Sequence, residues 1–170
     1  MTILPDILTE NLNIIFCGTA AGTMSAQVGA YYANPGNKFW RILYETGLTP
    51  RLLSPHEFRT LPAYRLGLTD LAQHAFGNDT DLRAHDFDPA AFRDKILRYA
   101  PRAVAFNSKR AAQEFFRRKN VAFGRQPERL GMSAIFVLPS TSGLACRSWD
   151  ASHWHALAAW IQPSSSEPAI

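Results

Sequence analysis

The chain is short of charge and of long apolar segments, and each shortage excludes a class of protein. Only 19% of its 170 residues are charged while 46% are hydrophobic, a balance typical of a globular domain rather than a disordered chain. No apolar run approaches the roughly 20 residues that a membrane-spanning helix needs. The first eleven residues include Asp6 and Glu10 and no basic segment, which argues against a secretory signal. We therefore expect a cytoplasmic protein with no membrane partner.

Metal-binding patterns are also missing. Cys17 and Cys146 are the only cysteines, and neither has a partner at metal-ligand spacing. The five histidines do not form a useful cluster, because His153 and His155 stand two residues apart, on different faces of a predicted helix. We expect no metal and no other cofactor.

Length and charge favour a single domain with a mild preference for polyanions. A chain of 170 residues can form one sizeable hydrophobic core, which we assign to residues 1–162. Residues 163–170 include three serines and are predicted to be a disordered tail. The net charge of +4 supports only a modest attraction to polyanions. Seven basic residues fall in one region, which fits either a solvated helix face or a phosphate-facing patch: Lys109, Arg110, Arg117, Arg118, Lys119, Arg125 and Arg129.

Apolar and amphipathic segments alternate along the chain, which predicts an α/β protein with a parallel sheet and helices on both faces. The predicted strands are 12–16, 103–106, 121–123 and 134–138. The predicted helices are 37–45, 54–61, 89–100 and 149–161, with one more after a cap at Asn107-Ser108 that carries Ala111, Ala112, Phe115 and Phe116. Residues 67–71 are interpreted only as an ordered segment, and residues 74–88 as a surface loop.

The most informative segment is the loop after the first predicted strand. Gly18 and Gly22 let backbone amides approach a ligand closely, because no Cβ atom stands in the way. A loop at the carboxyl end of a parallel strand is also a usual ligand site. Many strand-to-loop turns are rich in glycine, so this spacing alone fits a plain tight turn equally well.

Residues 16–40 as a whole resemble motif A of the uracil-DNA glycosylase superfamily, and most of all its mismatch-specific branch, the Mug and thymine-DNA glycosylases. A second segment, 137–144 followed by Arg147, resembles motif B of the same superfamily. Two motifs in the family's order, each after a predicted strand, make the resemblance specific. The motif A positions fall without a gap on Gly18, Gly22, Ser25, Tyr32, Asn37, Phe39 and Trp40.

The resemblance implies a three-layer αβα sandwich with a central, mainly parallel four-stranded sheet. It implies a metal-independent, monofunctional DNA glycosylase that flips deaminated bases, uracil foremost, out of DNA and hydrolyses the N-glycosidic bond in base excision repair. The implied partner is DNA with a damaged or deaminated base. The resemblance also implies a monomer that is associated with the nucleoid in the cytoplasm of a bacterial-type cell.

Two departures from the family pattern concern its reactive groups. The catalytic Asn of motif A falls on Ala20, and the Asn of motif B falls on Ser140. Alanine can neither orient water nor accept a proton, so we expect Asp70, in a segment resembling the family's pocket wall, to act instead. A carboxylate there would deprotonate water and stabilise a cationic transition state. A capping aspartate is the alternative, and Asn34 is a second candidate for holding the water.

The same resemblance assigns the remaining site residues. The expected base pocket is Gly18, Thr19, Ala20, Gly22, Tyr32 and Ser140. The ring of Tyr32, rather than its hydroxyl, is expected to stack on the extruded base. The expected DNA contacts are Ser25, Asn37, Lys38, Ser142, Gly143, Leu144 and Arg147. Among them Leu144 would fill the gap left by the flipped nucleotide, although ordinary turn chemistry also explains the serines and glycines.

Three functions are compatible with the sequence, and a DNA glycosylase acting through Asp70 is the one we favour. Because Ala20 replaces the catalytic Asn, a non-catalytic relative that binds lesions is the first alternative. The second is a nucleoside or nucleotide hydrolase acting on a free small substrate. Leu144 and the basic residues favour DNA over a free nucleotide, and Asp70 favours catalysis over binding alone.

Overall fold

A computed structural model describes residues 1–162, and the tail predicted at 163–170 lies outside the described residues. The strands are β1 (Ile14–Gly18), β2 (Leu66–Asp70), β3 (Ala103–Phe106), β4 (Gly124–Leu130) and β5 (Ser133–Val137). The α-helices are α1 (Thr23–Val28), α2 (Phe39–Glu45), α3 (Pro89–Tyr99), α4 (Lys109–Phe116) and α5 (Ala151–Ile161). Short 3₁₀ segments occupy Pro55–Tyr64, Asp79–Asp81, Ala84–Asp86 and Gly143–Ser148. No helix in this part of the chain is long and apolar enough to cross a membrane.

The strands form one sheet in the order β2-β1-β3-β5-β4. Neighbouring strands are parallel except for β4 and β5, which are antiparallel. Helices cover both faces: one core contains Phe16, Phe39 and Trp154, and the other contains Phe92 and Phe106. The predicted α/β class, with a mainly parallel sheet between helical layers, is confirmed.

The sheet has five strands, whereas the sequence predicts four. The additional strand is β2, whose glycine and Thr-Asp pair are more typical of turns, although all five of its residues are buried. The N-terminal segment covers this strand, because Ile7 pairs with Leu68 and a Cβ atom at Gly67 would lie 2.6 Å from the Ile7 carbonyl oxygen. Pairing with β1 and burial therefore override the local turn propensity.

Two other elements differ from the sequence prediction. The strand predicted at 121–123 begins later, as β4, and its polar residues are typical of a sheet edge. Pro127 lies where the register shifts between Arg125 and Arg129, and an edge strand tolerates proline. Helix α1 is not predicted from the sequence, since its six residues are too few to give a clear helical period.

The strand directions bring the motif loops to one edge of the sheet. Gly18, the last residue of β1, is in register with Asp70, the last residue of β2. Strand β1 has β2 on one side and β3 on the other. The chain leaves β1 toward β2, and it leaves β3 toward the opposite side of the sheet, where β5 and β4 lie. Such a divergence opens a crevice for ligands at the carboxyl ends of the strands.

Candidate active site

A cleft of about 670 Å³ opens at the carboxyl edge of the sheet. Its lining contains both motif loops together with Asp70, Asn107 and the segment 77–80. Of the site residues predicted from the sequence, Lys38 and Arg147 alone are not part of this lining. The fold thus gathers two motifs that are far apart in the sequence around the end of β2.

Asp70 forms the floor of the cleft beside Gly18. A Cβ atom at Gly18 would lie 2.7 Å from Asp70 Oδ1 and 3.3 Å from the Tyr32 hydroxyl oxygen. The first distance is shorter than a side chain tolerates, so any larger residue at position 18 would displace the carboxylate. The absence of a Cβ atom at position 18 therefore allows the close approach of Asp70 to the loop.

Burial makes the Asp70 carboxyl group hold its proton unusually tightly. The residue is only 6% exposed, and this burial, followed by repulsion from Asp6, raises the pKa of Asp70 from 3.8 to about 7. Lys95 acts in the opposite direction and lowers the pKa. A carboxyl group with a pKa near neutrality, located in a cleft, is typical of general acid–base catalysis.

A polar pair that the sequence does not reveal lies behind the floor. Lys95 Nζ is 2.7 Å from Asp6 Oδ2, and the Thr69 hydroxyl donates to Asp6 Oδ1 at 2.6 Å. Asp6 belongs to the N-terminal segment and Lys95 to α3, so no local pattern connects either of them with Asp70. Their opposite charges nevertheless act on the same carboxyl group.

Tyr32 lines the cleft in a backbone conformation that tyrosine seldom adopts. Its φ angle is 52°, in the left-handed region, where bulky residues are rare and occur mainly at functional sites. Its ring packs on Phe39 with a centroid distance of 4.1 Å and an interplanar angle of 30°. The hydroxyl is buried and has no hydrogen-bond partner within residues 1–162. Burial and the nearby Asp70 raise the pKa of Tyr32 well above its ordinary value.

The polar residues that follow Tyr32 in motif A build turns. Asn34 Oδ1 accepts from the backbone N–H two residues later at 2.9 Å. Asn37 Oδ1 accepts from Phe39 N at 2.9 Å, so Asn37 bonds the first turn of α2, which begins at Phe39 rather than at residue 37. Lys38 Nζ lies 5.3 Å from the centroid of the Trp149 ring, away from the cleft lining.

Motif B forms a short turn at the mouth of the cleft. Ser140 Oγ accepts from Ser142 N at 3.2 Å, and Ser142 Oγ accepts from Leu144 N at 3.3 Å. The side chain of Leu144 is 80% exposed. A Cβ atom at Gly143 would lie 3.2 Å from a carbonyl oxygen of the motif A turn, so the two motifs are in contact. Arg147 follows in the chain and is exposed.

Buried polar residues support both loops from below. Ser25 is buried, and its Oγ accepts from Ala33 N at 3.1 Å, which leaves the hydroxyl hydrogen for a second partner. Asn107 Nδ2 donates to Thr141 Oγ1 at 2.9 Å, and Thr141 N donates to Asn107 Oδ1 at 3.2 Å. Asn107 is absent from the site predicted from the sequence. A polar residue directly after buried β3 is the signal that identifies it.

One wall of the cleft comes from the segment that the sequence indicates as a surface loop. The Thr19 hydroxyl donates to Asp79 Oδ1 at 2.8 Å, and Gly77 N donates to the Ala21 carbonyl at 2.9 Å. Arg110 Nη1 donates to the Asp79 carbonyl at 3.0 Å. Residues 77–80 are thus attached to motif A and to α4, through contacts that no sequence pattern indicates.

Some of the basic residues that the sequence groups together form ion pairs, and some line the cleft. Arg110 and Arg118 pair with Glu114 at 3.0 Å and with Glu128 at 2.7 Å, as expected for a solvated helix face. Lys109 is exposed and lines the cleft, where a phosphate could reach it. Arg110 lines the cleft as well, so the two interpretations do not separate cleanly, and a phosphate-facing role of Lys109 and Arg110 stays a prediction.

Neither cysteine belongs to a recognisable metal site. Cys17 is buried in β1, and Cys146 is exposed. In the part of the chain that the structure describes, no three His, Cys, Asp or Glu side chains come together as metal ligands.

Comparison with known proteins gives a consistent result. The model of the uracil DNA glycosylase superfamily matches residues 5–162. The solution NMR structure of a candidate uracil DNA glycosylase from Methanosarcina acetivorans is 22% identical, with a TM-score of 0.62, over 94% of this chain and 96% of that one. The structural match confirms the fold, and the family match supports DNA glycosylase activity in general. The protein belongs to the uracil DNA glycosylase superfamily.

Proposed function

We propose that the protein is a monofunctional DNA glycosylase that removes deaminated bases, uracil foremost, in base excision repair, with Asp70 as its catalytic residue. Within the superfamily we assign it to the mismatch-specific branch on the strength of motif A. One observation carries the proposal: a buried carboxyl group with a pKa near neutrality lies against Gly18 on the floor of the cleft. Motif A offers only Ala20 at the position where the family's catalytic Asn is expected.

The reaction requires the target base to leave the helix stack and enter the cleft. The Tyr32 ring packs on Phe39 and lines the cleft, and we propose that it stacks on the base there. The ionised Asp70 carboxylate then accepts a proton from a water molecule whose oxygen attacks C1′ of the sugar. The bond between C1′ and the base nitrogen breaks, and its electron pair leaves with the base. The carboxylate also stabilises the positive charge that develops on the sugar.

The remaining pocket residues are proposed to select the base. Ala20 lines the cleft and packs against the apolar cluster on the α3–α4 face, so it contributes space rather than a polar contact. Ser140 offers a hydroxyl where the family has an amide, which should change base preference, because an unpaired buried group penalises the wrong base. Asn34 lines the cleft with its Oδ1 committed to a turn, and it remains the second candidate for holding the water.

The rim is proposed to hold the DNA. Leu144 is exposed at the mouth of the cleft, where an apolar side chain can enter the space left by the flipped nucleotide. The other proposed contacts are with phosphates, which bind hydroxyls, backbone amides and cations without regard to sequence: Ser25, Asn37, Lys38, Ser142, Gly143 and Arg147. Lys38 and Arg147, away from the cleft lining, would contact the strand beside the lesion.

A strand-cleavage experiment tests the proposal. Duplex oligonucleotides with a single uracil, hypoxanthine or xanthine are incubated with the protein and treated with alkali, which breaks the strand at abasic sites. Breaks at the uracil position with the wild-type protein, and none with Asp70→Asn, are the expected result. Lesion binding without breaks would establish the non-catalytic alternative, which the presence of Ala20 favours. Release of base from free deoxyuridine but not from DNA would establish the nucleoside hydrolase.

A further inference from the structure

The Tyr32 hydroxyl is the polar group of the cleft that stacking leaves unexplained. A ring alone would satisfy stacking, yet this ring carries a hydroxyl whose oxygen is buried without a hydrogen-bond partner in the described chain. Buried polar atoms are almost always hydrogen-bonded, to protein or to water. The neighbouring Tyr31 follows that rule, since its hydroxyl donates to the Pro5 carbonyl at 3.0 Å. The two adjacent tyrosines therefore differ in the use of their hydroxyls.

Geometry connects the Tyr32 hydroxyl with Asp70. The position that a Cβ atom of Gly18 would occupy lies 3.3 Å from the hydroxyl oxygen and 2.7 Å from Asp70 Oδ1. These distances limit the separation of the two oxygens to about 6 Å, and no direct hydrogen bond joins them. One water molecule with two hydrogen bonds spans roughly 5 Å. That span falls within the 6 Å limit, so one water molecule beside the glycine can bridge the two oxygens.

We infer that the Tyr32 hydroxyl is a positioning group that holds a water molecule against the Asp70 carboxylate. The hydroxyl donates to the water oxygen, and the water donates one hydrogen to Asp70. In the proposed glycosylase reaction, on which this step rests, that water is the nucleophile. Its proton passes to Asp70, its oxygen bonds to C1′, and Tyr32 keeps its own proton throughout.

The surroundings of the pair support this direction of donation. The nearby Asn107 side chain lowers the pKa of Tyr32, but its amide is held by two hydrogen bonds with Thr141 and makes none with the Tyr32 hydroxyl in the described residues. Burial and the negative charge of Asp70 raise the pKa of Tyr32, so the hydroxyl stays protonated and remains a donor.

Four other titratable groups lie around Asp70 and Tyr32. Asp6 and Lys95 act on Asp70 from behind the strand, and Asp6 is the larger influence. Cys17 and Tyr31 are buried nearby, and burial raises the pKa of each above its ordinary value. None of these four changes in a Tyr32→Phe variant, so a change in Asp70 can be attributed to the hydroxyl.

The test compares Tyr32→Phe with Tyr31→Phe as a matched control. Both variants remove one tyrosine hydroxyl and keep the ring. Uracil excision is measured for kcat and KM, and the pKa of Asp70 is followed by ¹³C NMR of carboxylate-labelled free protein. Because the second measurement needs no turnover, it decides the link between Tyr32 and Asp70 even where the proposed activity is absent.

In Tyr32→Phe we expect kcat to fall about tenfold, the size expected for a lost hydrogen bond in the reacting complex, with KM unchanged because stacking is retained. The pKa of Asp70 should rise, since the carboxylate loses a bound water. Tyr31→Phe should leave kcat and the pKa of Asp70 unchanged. An Asp70 pKa that is the same in Tyr32→Phe and wild type would overturn the inference. A raised pKa in a protein without glycosylase activity would support the link and reject the proposed function instead.

Discussion

The floor and the rim of the cleft are built in different ways. The floor consists of Gly18 and Asp70, the ends of two paired strands, with the carboxylate buried. The rim consists of the motif B turn, which two serine hydroxyls hold together locally and which exposes Leu144. A buried carboxylate fixed by a sheet suits chemistry, and an exposed apolar side chain on a short turn suits contact with a partner. Changes at the floor should therefore affect every substrate, whereas changes at the rim should depend on the form of the DNA.

Asp70→Asn gives the largest expected effect. The substitution keeps the size of the side chain but removes its negative charge and its ability to accept a proton. We expect excision to fall about 10²–10⁴-fold, as for the loss of a general base, equally on single- and double-stranded substrates. Binding of uracil-containing DNA, measured by fluorescence anisotropy, should persist or tighten because a negative charge is removed. Normal cleavage by this variant would make Asp70 a structural residue and leave the chemistry to Asn34 or a backbone-held water.

The same substitution should stabilise the fold, with an effect that grows with pH. The pKa of Asp70 is about 7 in the folded protein against an ordinary 3.8, so the folded state prefers the protonated carboxyl. The contribution of the protonated Asp70 carboxyl to the free energy of unfolding is complete below pH 3.8 and is lost as the pH rises through about 7. An asparagine side chain never ionises. The free energy of unfolding of Asp70→Asn should therefore exceed that of the wild type by on the order of 4 kcal/mol at pH 8, and the difference should vanish near pH 4. Urea unfolding at both pH values measures it, and an equal difference at the two would contradict the raised pKa.

The sequence reveals some features of the cleft floor and not others. Gly18 and Tyr32 lie in one continuous motif, so their shared place in the cleft lining is predictable from local pattern. The charges behind Asp70 are not, because Asp6 reaches β2 through its hydrogen bond with Thr69 and Lys95 reaches Asp6 through an ion pair. Strand β2 itself is missed for a related reason. Its local sequence favours a turn, and its pairing with β1 decides the outcome.

Leu144→Ala tests the rim and should have a smaller, substrate-dependent effect. Removing the exposed side chain leaves the floor intact, so chemistry on an already flipped base is unaffected. We expect excision from paired duplexes to slow by about tenfold, or about 1.4 kcal/mol, which is part of the few kcal/mol that unstacking a base costs. Excision from single strands should change less than about twofold, because no gap in a duplex needs filling. Equal losses on the two substrates, with unfolding unchanged, would reject the role of Leu144 in the duplex.

Asp6→Asn should produce the smallest effect, a shift of the pH profile without loss of maximal rate. Asp6 raises the pKa of Asp70, and Lys95 lowers it. Removing the Asp6 charge therefore lowers the pKa and also leaves Lys95 without its ion pair, which acts in the same direction. Because the reaction needs ionised Asp70, activity at pH 6 should rise severalfold while activity at pH 8.5 stays constant. Lys95→Met should move the profile the opposite way, toward higher pH. The amide oxygen introduced by Asp6→Asn can still accept the Thr69 hydrogen bond, so a uniform fall in rate across the pH range would indicate that Asp6 acts on structure rather than on charge.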